Sequence, residues 1–197
     1  RRAAERLSVV PLARVVASPL ERTLATAEAL VAGRPDLAIE TDDALLECDY
    51  GSWTGRPLAE LAAEPLWKVV QATPSQVVFP GGESMTAMSD RVVAAVRRHD
   101  AEVAEEHGKD AVWVVVSHGD LIKAVLAHAL DLPLDRFQRL HVDPASLSIV
   151  RFDGDASSVL AVNTHAGDLS WLAKAPSAGT PAVGGGAGPE PATRKGA

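Results

Sequence analysis

The chain has 197 residues, enough to bury a sizeable core within one domain. Its formal net charge of −7, without a basic run interleaved with aromatic residues, argues against nucleic acid as a partner. The single cysteine, Cys48, excludes an internal disulfide framework and favours a reducing cytoplasm, and no apolar stretch approaches the roughly 20 residues of a membrane span.

The first part of the chain predicts two strands with a helix between them. Residues 14–18 (RVVAS) form a short apolar run that ends the first predicted strand. Ser18 as N-cap and Pro19 at the first helical position predict a helix over 19–33 that stops at Gly33. Residues 37–41 (LAIET) predict the second strand.

The middle of the chain predicts a loop, then helices. Residues 42–58 indicate a loop punctuated by glycines, and 58–72 (LAELAAEPLWKVVQA) predict a short helix. Apolar residues at spacings of three and four then predict a long amphipathic helix that ends near Gly108. Residues 111–117 (AVWVVVS) are a continuous β-branched run, which predicts a central parallel strand covered on both faces.

The last part of the chain predicts a helix over 121–130 and a hairpin or edge pair from 146–152 and 158–163. Strands that alternate with helices indicate an α/β fold, a three-layer sandwich around a mostly parallel sheet. From about Pro176 the composition offers almost nothing to bury. We therefore predict a domain over 1–174 and a disordered tail rich in Pro, Gly and Ala over 175–197.

Polar residues follow two of the predicted strands, where ligands bind in open α/β sheets. Arg22 falls in the first turn of its helix, so its guanidinium and the free N–H groups there can converge on one anion. The fork of an arginine suits a phosphate in particular. His118 lies at the equivalent strand-to-helix junction, and Gly119 beside it leaves room for a ligand.

Carboxylates in two loops are candidates for the remaining chemistry. Glu47, in a loop with glycines, is the candidate that protonates a leaving oxygen, and Asp49 is the alternative. Glu83 in the stretch GGES either lines a substrate pocket or serves as an acidic residue that favours a helix N-terminus.

Three stretches in this order resemble the histidine phosphatase superfamily, also called phosphoglycerate-mutase-like. They are ASPLERTLATAEAL (17–30), LLECDYGSWTG (45–55) and VVVSHGDLIKAVL (114–126), with FPGGES (79–84) as a further similarity. The resemblance covers about residues 1–172, and residues 64–84 resemble an actinobacterial branch of probable phosphomutases or phosphatases.

The resemblance implies phosphoryl transfer through a phosphohistidine, without a metal or another cofactor. It assigns phosphate binding to Arg22, the role of second pocket histidine to His118 and that of proton donor to Glu47. Glu83 and Gly119 are expected to contact the substrate.

The chain departs from the superfamily at its defining motif, an N-terminal strand ending in L-R-H-G-x-T that supplies the nucleophilic histidine. None of the six histidines here is preceded by Arg and followed by Gly. We therefore expect that a few tens of N-terminal residues are lacking, including an interior strand, and that the chain is inactive as it stands. A fragment or misplaced start, a natural truncation and an omission of residues all remain open.

The complete protein is expected to be a cytoplasmic, metal-independent phosphomonoesterase or phosphomutase. Its partner would be a small phosphorylated substrate, such as a sugar or glycerate phosphate, and formation of a homodimer stays open. The alternative is a non-catalytic protein that binds a phospholigand or another protein. A dinucleotide-binding protein and a serine hydrolase are disfavoured, because neither G-x-G-x-x-G after a strand nor G-x-S-x-G is present.

Overall fold

The fold was analysed in a computed structural model, which describes residues 1–167. The predicted tail over 175–197 and the last residues of the predicted domain lie outside the described residues. The helices and strands, in chain order, are α1 (Arg2–Leu7), β1 (Leu12–Ala17), α2 (Glu21–Val31), β2 (Ile39–Thr41), α3 (Leu58–Leu61), α4 (Pro65–Ala72), α5 (Met85–His107), β3 (Val112–Val116), α6 (Gly119–Ala129), β4 (Leu147–Asp153) and β5 (Ala156–Thr164).

Two sheets organise the described residues. The first is parallel, with strand order β2-β1-β3, and the second is the antiparallel pair β4-β5. In the parallel sheet Ala17 is level with both Thr41 and Val116, so the carboxyl ends of all three strands meet at one edge. The predicted α/β fold and the predicted hairpin are both confirmed.

The parallel sheet is covered on both faces, as its alternating side chains show. Val16 belongs to the apolar core formed with α5 and α6, which also contains Phe79 and Phe137. Val15 and Ala17 point to the opposite face and pack against α1 and α2. Helices on both sides of one sheet confirm the predicted three layers.

The helix predicted over 19–33 is shorter, and Ser18 is not its N-cap. Helix α2 starts at Glu21, and the N-cap position is Leu20, whose carbonyl accepts the first helical hydrogen bonds. The backbone N–H of Ser18 instead donates to the carbonyl of Val116 at 2.9 Å, so Ser18 prolongs the pairing of β1 with β3. The strand ladder thereby holds Ser18 away from the helix end that it was expected to cap.

The helix predicted over 58–72 is interrupted. It divides into α3 and α4, and Pro65 occupies the first helical position of α4. Proline has no backbone N–H to donate, so it is tolerated at the start of a helix and breaks one that runs through it.

Strand β3 is not central among the described residues but lies at the edge of the parallel sheet. Val112 is 44% exposed, and only Val116 of this strand is fully buried. The continuous apolar run reflects helices covering both faces of the sheet, and it carries no information on how many strands pair with β3. The prediction of a central strand is therefore wrong for the described part of the chain.

Within residues 1–167 no helix is both long enough and apolar enough to cross a membrane. The cytoplasmic location inferred from composition stays a prediction.

Candidate active site

The carboxyl ends of β1 and β3 bring Ser18 and His118 together. Ser18 follows β1 directly, and His118 is the N-cap residue of α6, two residues after the end of β3. The Nε2 atom of His118 lies 2.8 Å from the hydroxyl oxygen of Ser18, and both side chains are buried. The parallel register that levels Ala17 with Val116 thus fixes the position of the imidazole.

Arg22 contacts the other ring nitrogen of His118. Its Nη2 atom lies 3.0 Å from Nδ1. Because arginine only donates hydrogen bonds, Nδ1 must accept, and the proton of a neutral ring then resides on Nε2 and is donated to Ser18. Burial above all, followed by the charges of Arg22 and Arg91, lowers the pKa of His118 to about 4. The imidazole is therefore neutral at pH 7.

Glu47 approaches the same face of His118. Its Oε2 atom lies 3.9 Å from Nδ1, and its Oε1 atom accepts a hydrogen bond from the backbone N–H of Cys48 at 3.0 Å. Burial and then the charge of Asp120 raise the pKa of Glu47 to about 7, although Arg22 and Arg91 oppose this rise. A carboxyl group with such a pKa carries a proton in a large fraction of molecules at neutral pH and can give it up.

Asp49, the alternative proton donor, has a different environment. Its side chain is exposed, and its Oδ1 atom accepts a hydrogen bond from the backbone N–H of Gly51 at 2.9 Å, which shapes a turn. It is not among the residues that line the cavity described below. The geometry therefore favours Glu47 over Asp49 as the carboxyl group next to His118.

Glu83 lies outside the lining of that cavity and is bound to Arg91. The two carboxylate oxygens of Glu83 lie 2.5 and 3.0 Å from the guanidinium. Burial favours the protonated form of Glu83, but the pairing with Arg91 and a hydrogen bond from the backbone N–H of Asp49 outweigh it and lower the pKa of Glu83. Arg91 also donates to the backbone carbonyls of Ala44 and Glu47, at 2.8 and 3.3 Å. Glu83 thus fixes Arg91, and Arg91 in turn fixes the loop that carries Glu47.

Sequence reasoning missed Arg91 and the site role of Ser18. Arg91 is one of several arginines on the long helix α5, and besides Glu83 its partners are backbone carbonyls more than 40 residues away in sequence. No spacing rule points to such a contact. The stretch ASPLERTLATAEAL contains Ser18, but a serine before a helix is more often an N-cap, and its contact with His118 follows only from the pairing of β1 with β3.

Two glycines allow the Glu47 loop to pack against the segment before α5. A Cβ atom on Gly82 would lie 2.2 Å from the carbonyl oxygen of Asp49, and one on Gly51 would lie 2.3 Å from that of Pro80. Gly51 also has a φ of +52°, a conformation that side chains other than glycine rarely adopt. The close approach of these two backbones requires glycine at both positions.

Arg22, Glu47, His118 and Gly119 all line one cavity of about 240 Å³. Further parts of its wall come from Val114–Val116 of the edge strand β3 and from residues 142–147, together with side chains of α1, α2 and α6. The start of α6 adds the positive end of the helix dipole. One cation, a helix N-terminus, a neutral imidazole and a protonatable carboxyl group thus converge, an arrangement suited to a phosphate ester.

A second groove of about 380 Å³ lies between α5 and α6. It is lined mainly by small and aliphatic side chains, together with Asp90 and His128. This composition offers no counterpart to the convergence around His118, so the smaller cavity is the candidate site.

Comparison with known sequences gives consistent matches. Residues 1–165 match the profile of the histidine phosphatase superfamily (branch 1). A bifunctional protein of Mycobacterium tuberculosis is 41% identical over 156 residues, which cover 77% of this chain and 41% of that protein. Phosphoserine phosphatase 1 of Hydrogenobacter thermophilus is 30% identical over 171 residues, which cover 84% of this chain and 78% of that enzyme. The chain thus spans less than half the length of this bifunctional protein and of two further mycobacterial relatives.

Comparison with solved structures agrees with the observed topology. The complex of mycobacterial glucosyl-3-phosphoglycerate phosphatase with inorganic phosphate matches with a TM-score of 0.72 and 26% sequence identity. The match covers 83% of this chain and 83% of that one. The fold around the cavity is therefore that of known phosphatases.

Proposed function

This chain belongs to the histidine phosphatase superfamily, and from that premise we propose that it carries the phosphate-binding and proton-donating part of a phosphomonoesterase site. The observation that carries the proposal is the meeting of Arg22, Glu47 and His118 in one cavity. The phosphatases among its relatives and structural neighbours support hydrolysis of small phosphate esters.

In this proposal the phosphoryl group rests between Arg22, His118 and the start of α6. The P–O bond of the ester breaks as the phosphoryl group moves to a nucleophilic imidazole, and Glu47 gives its proton to the departing oxygen. Water then attacks the phosphohistidine and returns a proton to the Glu47 carboxylate. A carboxyl group whose pKa is raised to about 7 can both donate and accept a proton near neutral pH.

The nucleophile is proposed to come from outside these 197 residues. Both ring nitrogens of His118 are engaged, Nδ1 by Arg22 and Nε2 by Ser18. None of the other five histidines, all within the described residues, lines the cavity. Residues of the edge strand β3 do line it, so a further strand paired with β3 would place a histidine next to His118.

Binding and turnover assays on the 197-residue protein test this proposal. We expect orthovanadate to bind and p-nitrophenyl phosphate not to be hydrolysed. Arg22→Ala and His118→Ala should weaken orthovanadate binding at least tenfold, since each removes a direct charged or polar contact of about 1.5–3 kcal/mol. His128→Ala, an exposed histidine on α6, is the matched control and should bind normally.

Robust hydrolysis by this chain would show that one of its own residues is the nucleophile. Failure to bind orthovanadate would contradict the assignment of the cavity.

The non-catalytic alternative shares the same pocket, so the coding sequence ahead of Arg1 separates the two. An in-frame Arg-His-Gly after an apolar strand favours the enzyme, and a stop codon favours a binding protein. In the complete protein, conversion of 3-phosphoglycerate with and without 2,3-bisphosphoglycerate separates a mutase from a hydrolase. A mutase requires the bisphosphate and releases little inorganic phosphate.

A further inference from the structure

A hydrogen bond between two residues outside the cavity lining joins the loop of Glu47 to the first turn of α6. The hydroxyl of Tyr50 lies 3.1 Å from the Oδ2 atom of Asp120. Tyr50 is three residues after Glu47 in the same loop, and Asp120 is two residues after His118 in the first turn of α6. One contact therefore ties the loop of the proton donor to the helix that starts at the histidine.

Asp120 is fully buried, which is unusual for a carboxylate. The Nζ atom of Lys123, one helical turn later and also buried, lies 3.5 Å from Oδ1 of Asp120. The same ammonium donates to the side-chain oxygen of Gln138 at 3.1 Å. A buried ion pair contributes little net stability compared with apolar side chains of the same volume, so stability alone does not account for this pair.

We propose that Asp120, held between Lys123 and Tyr50, is a positioning residue that fixes the Glu47 loop against the start of α6 and brings a negative charge next to that loop. The inference rests on the proposed function, because it concerns the proton donor assigned there. Asp120 does not line the cavity, so it acts through Glu47 and not on the substrate.

The charges around Glu47 act in opposite directions on its protonation, and Asp120 opposes the arginines. Arg22 and Arg91 favour the ionised carboxylate, as does the hydrogen bond from the backbone N–H of Cys48. The neutral ring of His118 lies 3.9 Å away and adds no charge. Burial, and after it the carboxylate of Asp120, favours the protonated form against the two arginines.

Carbon-detected NMR titration of the Glu47 carboxyl group in the 197-residue chain tests the electrostatic part. The resonance is assigned by its disappearance in Glu47→Gln. In Asp120→Asn, which keeps an acceptor for Tyr50 but loses the charge, we expect the titration midpoint of Glu47 to move to lower pH by about one pH unit. Asp131→Asn is the matched control, because it removes an exposed carboxylate just after α6 at a backbone φ of 51° that asparagine tolerates.

Tyr50→Phe tests the positioning part, because it removes the bridging hydrogen bond and keeps the charge of Asp120. We expect hydrogen exchange of the Cys48 amide, which donates to Glu47, to accelerate about fivefold or more, the effect of losing one net hydrogen bond. Because Asp120→Asn removes the carboxylate partner of the Lys123 ammonium, Asp120→Asn with Lys123→Met provides a second variant, and it should keep the lowered midpoint of Glu47.

A Glu47 midpoint that stays at its wild-type value in both Asp120 variants overturns the electrostatic role. Unchanged exchange in Tyr50→Phe overturns the positioning role. Neither measurement requires substrate or turnover, so failure of the proposed function would appear separately, as the absence of orthovanadate binding.

Discussion

At the scale of single residues, the neutral state of His118 has a consequence for ligand binding. Its pKa of about 4 reflects burial and two nearby cations in the absence of an anion. A dianion placed between His118 and Arg22 favours the imidazolium and raises this pKa. We therefore expect binding of sulfate, a dianion that does not itself titrate near neutral pH, to take up close to one proton per site at pH 6.

Calorimetry in two buffers of different ionisation enthalpy measures this uptake. At pH 6 Glu47, with a pKa of about 7, is already mostly protonated and contributes little. The uptake should accordingly persist in Glu47→Gln and vanish in His118→Asn. Equal binding enthalpies in both buffers for the unmodified chain would contradict the prediction.

Local sequence patterns are enough to predict the location of a site residue that lies at the end of a strand or the start of a helix. Arg22 and His118 could be placed beside one anion because each lies where a strand gives way to a helix, and the structure brings both to one cavity. Ser18 and Arg91 could not be placed this way. Their contacts, with His118 and with the carbonyls of residues 44 and 47, span 44 to 100 positions and exist only once the layers have packed.

At the scale of elements, the junction between the Glu47 loop and the segment before α5 depends on backbone packing at Gly82. An alanine there places its Cβ 2.2 Å from the Asp49 carbonyl oxygen and 2.6 Å from the Gly51 nitrogen, so one backbone must move. We expect Gly82→Ala to lower the free energy of unfolding by about 2 kcal/mol or more, in the range of other overpacking substitutions, and to weaken orthovanadate binding.

Gly81→Ala is the control for Gly82→Ala. A Cβ at Gly81 would meet nothing within 4 Å, but its φ of +72° disfavours alanine. This change should cost about 1 kcal/mol, measured by urea unfolding, and leave orthovanadate binding intact. Equal effects of the two substitutions on binding would show that the contact of Gly82 does not hold the site.

Helices and strands with a strong side-chain periodicity could be predicted from the sequence, whereas the order of the strands in the sheet could not. The apolar repeat of α5 and the hairpin β4-β5 were both evident, because side-chain patterns record which faces are buried. The position of β3 at the sheet edge depends on which strands pair with its backbone, and the side-chain pattern does not predict that pairing. The division of α3 from α4 could have been predicted from Pro65 alone.

At the scale of the whole molecule, the two perturbed groups of the site have opposite effects on stability. With an unfolded-state pKa near 6.5 and a folded one of about 4, His118 binds more protons in the unfolded chain, so its contribution to stability is lost as pH falls. With an unfolded-state pKa near 4.5 and a folded one of about 7, Glu47 binds more protons in the folded chain, so its contribution is lost as pH rises.

Between pH 4.5 and 6.5 these contributions cancel, because the pair holds one proton in either state. The unfolded chain keeps it on His118, and the folded chain keeps it on Glu47. We therefore expect the pair to add no pH dependence to the free energy of unfolding in this interval. The carboxylates with lowered pKa values, such as Asp42, Glu83 and Asp143, lose their contributions below it.

Single substitutions should reveal the separate contributions of Glu47 and His118 to the pH dependence of the free energy of unfolding. In Glu47→Gln only His118 remains, and the free energy of unfolding should fall by about 2 kcal/mol from pH 6.5 to 4.5. In His118→Gln only Glu47 remains, and stability should fall by about the same amount from pH 4.5 to 6.5. Urea unfolding at pH 4.5, 5.5 and 6.5 measures how the free energy of unfolding of each variant changes with pH. In the double variant, Glu47→Gln with His118→Gln, this free energy should again be independent of pH in the interval. Slopes of the same sign in the two single variants would mean that Glu47 and His118 do not exchange the proton on folding.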